Sequence, residues 1–207
     1  MFDSTAEQYP QEQTAVQQPL SNTGTKPATK RLVSLESFLL RYSNREDPYK
    51  YEWNNGVVEK SLRTMNRDQT KILQQLLRLF AQTAAYANMG ELLCEVDMLM
   101  ATKSRTRRAD VAYMSSAQIQ ASANGALTPC AFVVEVISKN DQINGVEKKL
   151  VEYFENGIQV VWVILPQLQQ VKVYRSIRDI TVCFDEDVCS AALVLPDFEI
   201  AVNALFA

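Results

Sequence analysis

Two carboxylates stand inside apolar stretches of this 207-residue sequence. Asp110 lies in residues 109–114 and Glu135 lies in residues 131–138, and both stretches are typical of buried β-strands. Burying an ionised carboxylate costs free energy unless the group is paired or coordinates a metal. Because hard cations such as Mg²⁺ and Mn²⁺ prefer carboxylate oxygens, the two residues are candidate ligands of one metal site. The alternative is structural, with one carboxylate at a strand end and the other paired with an arginine.

A lysine follows on a predicted amphipathic helix at residues 145–156. Lys149 is predicted to share the apolar face of this helix with Leu150 and Tyr153, whereas Glu152 is predicted to face more outward. A lysine beside a scissile phosphate can orient the attacking water and stabilise developing charge. Together with the two carboxylates, this lysine predicts a metal-dependent phosphodiester hydrolase. The alternative for the lysine is that its stem packs on the helix and its ammonium reaches solvent.

A basic segment directly before Asp110 is predicted to be a loop. Its side chains could hold nucleic-acid phosphates beside the metal, which would make binding depend on the salt concentration. A solvated loop without a ligand is the alternative. The basic residues of this segment are Lys103, Arg105, Arg107 and Arg108. Further possible carboxylate ligands of the metal are Glu59, Glu95 and Asp97.

The composition excludes several kinds of site. The sequence has no histidine and no C-x-x-C spacing among its four cysteines, which excludes a Cys/His zinc site and a Ser–His or Cys–His catalytic pair. Cysteines at apolar positions suit a reducing cytoplasm, which is the predicted location. The net charge of −3 argues against a protein that coats nucleic acid through bulk charge. Neither a signal peptide nor a membrane-spanning stretch is visible.

The remaining pattern predicts one α/β domain that positions these residues. Residues 1–30 are rich in Gln, Thr, Ser and Pro and are predicted to be a disordered tail, and residues 31–207 are predicted to form the domain. Asn54-Asn55-Gly56 between two extended segments predicts an N-terminal hairpin. The core is predicted in the order α-β-β-β-α-β, with a helix from residue 66 or 68 to about 88, strands at 91–100, 109–114 and 131–138, a helix at 145–156 and a strand at 160–165. Because a helix joins the last two strands, we expect them to be parallel neighbours.

These segments resemble the Uma2 family, a group of predicted endonucleases related to restriction enzymes by the PD-(D/E)XK nuclease fold. The resemblance covers about residues 32–207, and its specificity comes from the order and spacing of the segments. It implies a restriction-endonuclease-like core, with a mixed central sheet flanked by helices, and assigns the metal to Asp110 and Glu135. The segments are YEWNNG at 51–56, RADVA at 108–112, VEVIS at 134–138, KLVEY at 149–153 followed by GI at 157–158, and VWVILP at 161–166.

Four positions depart from the family pattern. The nuclease motif normally places a lysine two residues after the glutamate, where this chain has Ile137. The resemblance implies that this lysine has moved onto Lys149, which is possible because a crossover helix packs over the strand that precedes it. Gln69 stands where relatives often have a histidine, and Gly145 stands where they often have an acidic residue. Ala109 replaces the usual proline before the aspartate.

The leading hypothesis is a Mg²⁺- or Mn²⁺-dependent endonuclease that hydrolyses phosphodiester bonds of DNA and leaves a 5′-phosphate. Because cutting a duplex usually takes two active sites, the resemblance also implies a homodimer. The alternative is a nuclease-fold protein without activity that binds nucleic acid or protein. A nucleotide-binding α/β protein is a distant third, since the sequence has neither a G-x-G-x-x-G run nor a G-x-x-x-x-G-K-[ST] loop. We expect no haem and no nucleotide cofactor.

Overall fold

The computed structural model describes residues 32–43, 45–62, 67–138 and 141–207, with the side chain of Leu62 excepted. The tail predicted at residues 1–30 lies outside these residues, and its boundary stays a prediction. The described helices are α1 Leu35–Phe38, continued by a π-helical turn at Leu39–Ser43, α2 Arg67–Phe80, α3 Ala84–Ala87, α4 Ser116–Ala123, α5 Ile143–Glu155 and α6 Val202–Phe206. The described strands are β1 Tyr49–Asn54, β2 Val57–Leu62, β3 Glu91–Met100, β4 Arg105–Met114, β5 Phe132–Val136, β6 Val160–Leu165, β7 Gln170–Tyr174, β8 Ile180–Phe184, β9 Val188–Ala191 and β10 Leu195–Ala201.

Eight of the described strands form one mixed sheet in the order β2-β1-β4-β5-β6-β7-β8, with β3 also paired to β4. Strands β5 and β6 are parallel neighbours joined by α5, which confirms the prediction made from the helix between them. The other pairings in this sheet are antiparallel. The core runs α2-β3-β4-β5-α5-β6, which is the predicted order α-β-β-β-α-β with the short helices α3 and α4 added.

Apolar side chains pack on both faces of this sheet. On one face, Leu76 of α2 lies in the same buried cluster as Trp162 of β6 and Phe198 of β10, and the last two rings stack with their centroids 5.5 Å apart. On the other face, Leu150 and Tyr153 of α5 are buried in a second cluster with side chains of β3, β4 and β6. The sheet face covered by α5, called the α5 face from here on, carries the charged residues described below. No helix in the described ranges is long and apolar enough to cross a membrane.

The hairpin β1–β2 has one aromatic and one charged face. Its turn is formed by Asn55 and Gly56 with φ angles of 45° and 86°, the positive values that an Asn-Gly hairpin turn requires. Tyr51 is buried and packs against an aromatic ring of the π-helical turn. Because successive side chains of a strand point to opposite faces, Lys50 and Glu52 face the other way and line a cavity.

Two element predictions are wrong by more than two residues at one boundary. The helix predicted to run to about residue 88 is two helices, because Thr83 caps a new helix by accepting a 3.2 Å hydrogen bond from the N–H of Tyr86. The strand predicted to begin at Ala109 begins at Arg105, so most of the predicted basic loop is part of β4. This strand can begin early because buried carboxylates neutralise its arginines.

Candidate active site

A cavity of about 510 Å³ lies on the α5 face of the sheet. Its lining residues come from the hairpin, α2, β3, β4, β5 and the first half of α5, so residues far apart in the sequence meet in one place. Asp110 on β4, Glu135 on β5 and Lys149 on α5 all line this cavity. The structure thus brings together the three residues that the sequence singles out for catalysis.

The two carboxylates lie next to each other on neighbouring strands. Strands β4 and β5 are antiparallel with Val111 opposite Val134, so the same register continued by one residue places Asp110 opposite Glu135. The Oδ2 atom of Asp110 accepts a 2.9 Å hydrogen bond from the backbone N–H of Val136. Burial raises the pKa of the Glu135 carboxyl above its ordinary value, and the nearby charge of Asp110 raises it as well. The pair is therefore electrostatically strained in the absence of a positive charge between its members.

Lys149 partly offsets this strain. Its ammonium lies 3.0 Å from Oε2 of Glu135, and the hydroxyl of Tyr153, one helical turn later, donates a short hydrogen bond to Oε1. Burial alone would lower the pKa of Lys149, but the charges of Glu135, Glu52 and Asp110 outweigh burial and hold that pKa above its ordinary value. Lys149 is consequently a fixed ammonium group at neutral pH, and it is oriented by the same carboxylate that it neutralises.

The hairpin supplies two charged residues of the cavity that sequence reasoning missed. The ammonium of Lys50 lies 3.3 Å from Oδ1 of Asp110. Oε2 of Glu52 accepts a 2.7 Å hydrogen bond from Nη1 of Arg107. Burial would raise the pKa of Glu52, but the charges of Lys149, Arg107 and Lys50 outweigh burial and lower it below its ordinary value. The signal present in the sequence is the alternation of aromatic and charged residues along β1, which places the charged side chains on one face.

The basic segment before Asp110 serves mainly to pair buried carboxylates. Nη1 of Arg105 lies 2.8 Å from Oε1 of Glu152, and Nε of Arg107 lies 2.7 Å from Oε2 of the same residue. Both arginines are buried, and Glu152 is only 2% exposed, so the prediction that Glu152 faces outward is wrong. Burying this carboxylate is possible because two guanidinium groups bind it from β4. Lys103, which precedes β4, is exposed and pairs with Glu155 at 2.9 Å.

The three further carboxylates proposed as ligands have different surroundings. Asp97 pairs with Arg108, whose Nε donates a 2.7 Å hydrogen bond to Oδ1, and this aspartate is not among the residues that line the cavity. Glu59 and Glu95 do line it, and Glu59 accepts a 2.6 Å hydrogen bond from Asn54. Within the described part of the chain, no group of three or more His, Cys, Asp or Glu residues is placed to hold a metal ion. Among the residues that the structure describes, the acid pair on β4 and β5 therefore has no third His, Cys, Asp or Glu side chain grouped with it to hold a metal.

Three positions that depart from the nuclease pattern line the same cavity: Ile137, Gln69 and Gly145. Nε2 of Gln69 donates a 3.0 Å hydrogen bond to the carbonyl oxygen of Val136, next to Glu135. A Cβ atom added to Gly145 would meet nothing within 4 Å, so there is open space at this position of the lining. The glutamine thus supports the strand that carries the glutamate, and the glycine leaves open space in the lining of the cavity.

Comparison with known families agrees with this fold. A family model described as "Uma2: Putative restriction endonuclease" matches residues 35–203. The chain belongs to the Uma2 family. The matched range includes Asp110, Glu135 and Lys149. The family resemblance stated from the sequence is therefore confirmed.

A solved structure of the DUF820 (Uma2) family has the same fold. The crystal structure of a putative nuclease from Anabaena variabilis ATCC 29413 aligns with a TM-score of 0.68 over 84% of this chain and 97% of that chain, at 16% identity. The predicted fold class, a mixed central sheet flanked by helices in a nuclease fold, is thereby confirmed. A DrdV–DNA complex solved by cryoEM aligns with a TM-score of 0.32 at 10% identity over 55% of this chain and 12% of that chain, which supports no conclusion. No curated protein matches this Uma2 chain.

Proposed function

We propose that this Uma2 protein is a divalent-metal-dependent endonuclease that hydrolyses phosphodiester bonds of DNA. The observation that supports the proposal most is the 3.0 Å contact between the Lys149 ammonium and Glu135, in the cavity that Asp110 also lines. A lysine beside two neighbouring acids is the set of groups that metal-assisted phosphodiester hydrolysis uses. In this chain the lysine comes from α5, since the position two residues after the glutamate is Ile137.

The acid pair fits Mg²⁺ or Mn²⁺. Mg²⁺ is commonly held by one or two carboxylates, with waters and substrate phosphate oxygens as its other ligands, so a third protein carboxylate is not required. Asp110 and Glu135 would hold the ion. Its positive charge would offset the cost of desolvating the ionised Glu135 carboxylate, which is what raises the pKa of that group. When bound, the ion would supply Lewis acidity to the phosphoryl group and favour deprotonation of the attacking water.

The protein groups around the acids have separate roles. Lys149 would donate hydrogen bonds to the attacking water and to a phosphate oxygen, and it would not act as the base because its pKa is raised. Burial raises the pKa of the Tyr153 hydroxyl well above its ordinary value, so this group stays a donor and fixes the rotamer of Glu135. The N–H of Val136 fixes Asp110 in the same way. Both carboxylates are thus held in place before any ion or substrate arrives.

The test is nicking of supercoiled plasmid DNA in Mg²⁺ or Mn²⁺. Glu135→Gln and Lys149→Met should each lower the nicking rate by at least about 100-fold, the scale expected for a group that acts on the transition state. Glu147→Gln on the exposed side of α5 and Lys71→Met on α2 are matched controls, because both residues are exposed and neither lines the cavity. A wild-type protein that never nicks with either ion would refute the proposal.

A second candidate function is a nuclease-fold protein that binds nucleic acid or protein without cleaving it. The observation that favours it is that each acid already has a lysine partner, Asp110 with Lys50 and Glu135 with Lys149. Calorimetric titration with Mg²⁺ and Mn²⁺ separates the two candidates. Binding that disappears in Asp110→Asn and in Glu135→Gln supports the endonuclease, and absence of binding in the wild type supports the second candidate.

The endonuclease proposal includes a homodimer, because cutting both strands of a duplex at one place usually takes two active sites. Light scattering after gel filtration should give twice the 23.4 kDa mass of one chain. A monomeric mass combined with clean single-strand nicking would remove the dimer from the proposal and leave the chemistry of the site in place.

A further inference from the structure

Lys50 is a cation that the proposed chemistry does not use. It stands on β1, on the charged face of the hairpin, and its side chain is only 12% exposed. Its ammonium lies 3.3 Å from Oδ1 of Asp110, whereas Oδ2 of the same carboxylate accepts the N–H of Val136. Both oxygens of Asp110 therefore have a partner in the protein, and the partner of Oδ1 is a lysine, whose four-carbon stem is flexible.

A divalent cation held at Asp110 would compete with the Lys50 ammonium, which lies 3.3 Å from Oδ1 of the same carboxylate. Coulomb repulsion between a charge of +2 and a charge of +1 at contact distance is unfavourable even though the Asp110 side chain is 31% exposed. Lys149 cannot replace Lys50 as the partner of Asp110, because its ammonium already contacts Glu135 and its position on α5 is fixed. Entry of the cation therefore has to move the Lys50 ammonium off Asp110.

We propose that Lys50 is the internal counter-ion of Asp110 in the free protein and a phosphate-binding residue in the complex with metal and DNA. This inference rests on the proposed function. With a cation held at Asp110, the Lys50 ammonium would remain on the wall of the same cavity, where a phosphodiester of the substrate would bring a new negative charge. An ammonium group is a suitable phosphate ligand as a point charge.

The consequence is that metal and DNA bind cooperatively. Metal alone has to break the contact between Lys50 and Asp110 and leaves that ammonium only the carboxylates already in the cavity, such as Glu52, whereas metal with DNA adds a phosphate partner. Because coupling between two ligands is reciprocal, DNA tightens metal binding by the same factor by which metal tightens DNA binding. Removal of Lys50 should therefore have opposite effects on the two measurements, tighter binding of metal alone and weaker coupling to DNA.

The experiment is calorimetric titration of the full chain with Ca²⁺, alone and in the presence of a 16-base-pair duplex. Ca²⁺ is chosen because it is a hard cation that binds carboxylate oxygens, and the readout is binding and not cleavage. In the wild type the duplex should tighten Ca²⁺ binding by about tenfold or more. In Lys50→Met, Ca²⁺ alone should bind about tenfold more tightly than in the wild type, and the gain from the duplex should fall below about threefold. Lys50→Gln, which keeps a polar side chain at this position, should behave in the same direction.

The matched control is Lys60→Met, which removes the same charge from the same hairpin. Lys60 is exposed and its ammonium lies over the ring of Tyr49, on the aromatic face away from the cavity. The Lys60→Met variant should bind Ca²⁺ as the wild type does, with and without DNA. Thermal melting of all variants establishes that each is folded during the titration.

The two proposals fail in different ways. If the wild type binds Ca²⁺ through Asp110 and Glu135 but Lys50→Met and Lys50→Gln leave both the affinity for metal alone and the gain from DNA unchanged, the role of Lys50 is refuted and the metal site stands. Weaker binding of metal alone by both variants also refutes it, because a counter-ion has to compete with the metal. If the wild type binds no Ca²⁺ in either arm, the inference and the metal site both fail.

Discussion

The ammonium of Lys149 lies 3.0 Å from Oε2 of Glu135, although the two residues are 14 positions apart and stand on a helix and a strand. The connection is the crossover from β5 through α5 to the parallel strand β6, which packs the helix back onto the strand that precedes it. In the nuclease pattern the lysine follows the glutamate on the strand itself. A lysine of α5 thus reaches the carboxylate of β5, and the proposal that it takes the place of the lysine in the nuclease pattern can be tested directly.

We predict that the lysine can be moved back to the strand. Lys149→Met should lower plasmid nicking by at least about 100-fold, and adding Ile137→Lys to it should recover at least about tenfold of that loss, because Ile137 lines the same cavity. Rates of loss of supercoiled plasmid in Mg²⁺ give the comparison. Ile137→Met in the Lys149→Met background controls for the change in packing. Equal rates for the Lys and Met double variants would contradict a role for the ammonium.

Glu152 should contribute far more to stability than Glu155 on the same helix. Glu152→Ala leaves Arg105 and Arg107 buried with less compensation, so we expect a loss of about 3–5 kcal/mol in the free energy of unfolding. Glu155→Ala breaks only the pair with Lys103, in which both side chains are more than 40% exposed, so we expect a loss of at most about 1 kcal/mol. Urea unfolding followed by circular dichroism measures both values. Similar losses of unfolding free energy for the two variants would show that the buried pairs of Glu152 stabilise the fold no more than the exposed pair of Glu155 with Lys103.

Stability should fall in acid partly because of Glu52. The charges of Lys149, Arg107 and Lys50 outweigh burial and lower the pKa of Glu52 in the folded protein. Because the folded state then binds a proton less readily than the unfolded state, this group stabilises the fold above the ordinary carboxyl pKa, and its contribution is lost as the pH falls through the lowered pKa. The free energy of unfolding, measured by urea titration from pH 7 downward, should therefore decline less steeply in Glu52→Gln than in the wild type. An unchanged slope would assign the acid sensitivity to other groups.

Gln69 should stabilise the strand that carries Glu135. Gln69→Ala removes the 3.0 Å hydrogen bond to the carbonyl of Val136, and we expect a loss of about 1 kcal/mol and a lower melting temperature. Gln75→Ala on the same helix is the control, because its 3.3 Å hydrogen bond to Ala207 is exposed. Differential scanning calorimetry measures both. A larger effect of the control than of Gln69→Ala would be inconsistent with this role of the amide.

Local patterns in the sequence predicted much of the fold. The Asn-Gly turn, the apolar stretches around Asp110 and Glu135, and the helix that joins two parallel strands were all predictable, because turn chemistry and periodicity act over a few residues. The same periodicity placed Lys149 on the face of α5 that meets the sheet. The boundaries at Thr83 and Arg105 were missed, since each depends on a hydrogen bond or ion pair that the periodicity of apolar residues does not contain.

The choice of partners was decided only by the tertiary structure. Lys50 meets Asp110 across 60 positions of sequence, and Glu152 meets Arg105 and Arg107 across 47 and 45 positions. A sequence pattern states which face a side chain takes, but it does not state which charge lies opposite when strands and helices pack. Since the free energy of a buried charge is set by that opposite charge, the sequence determined the candidate residues and the packing determined which of them form the site.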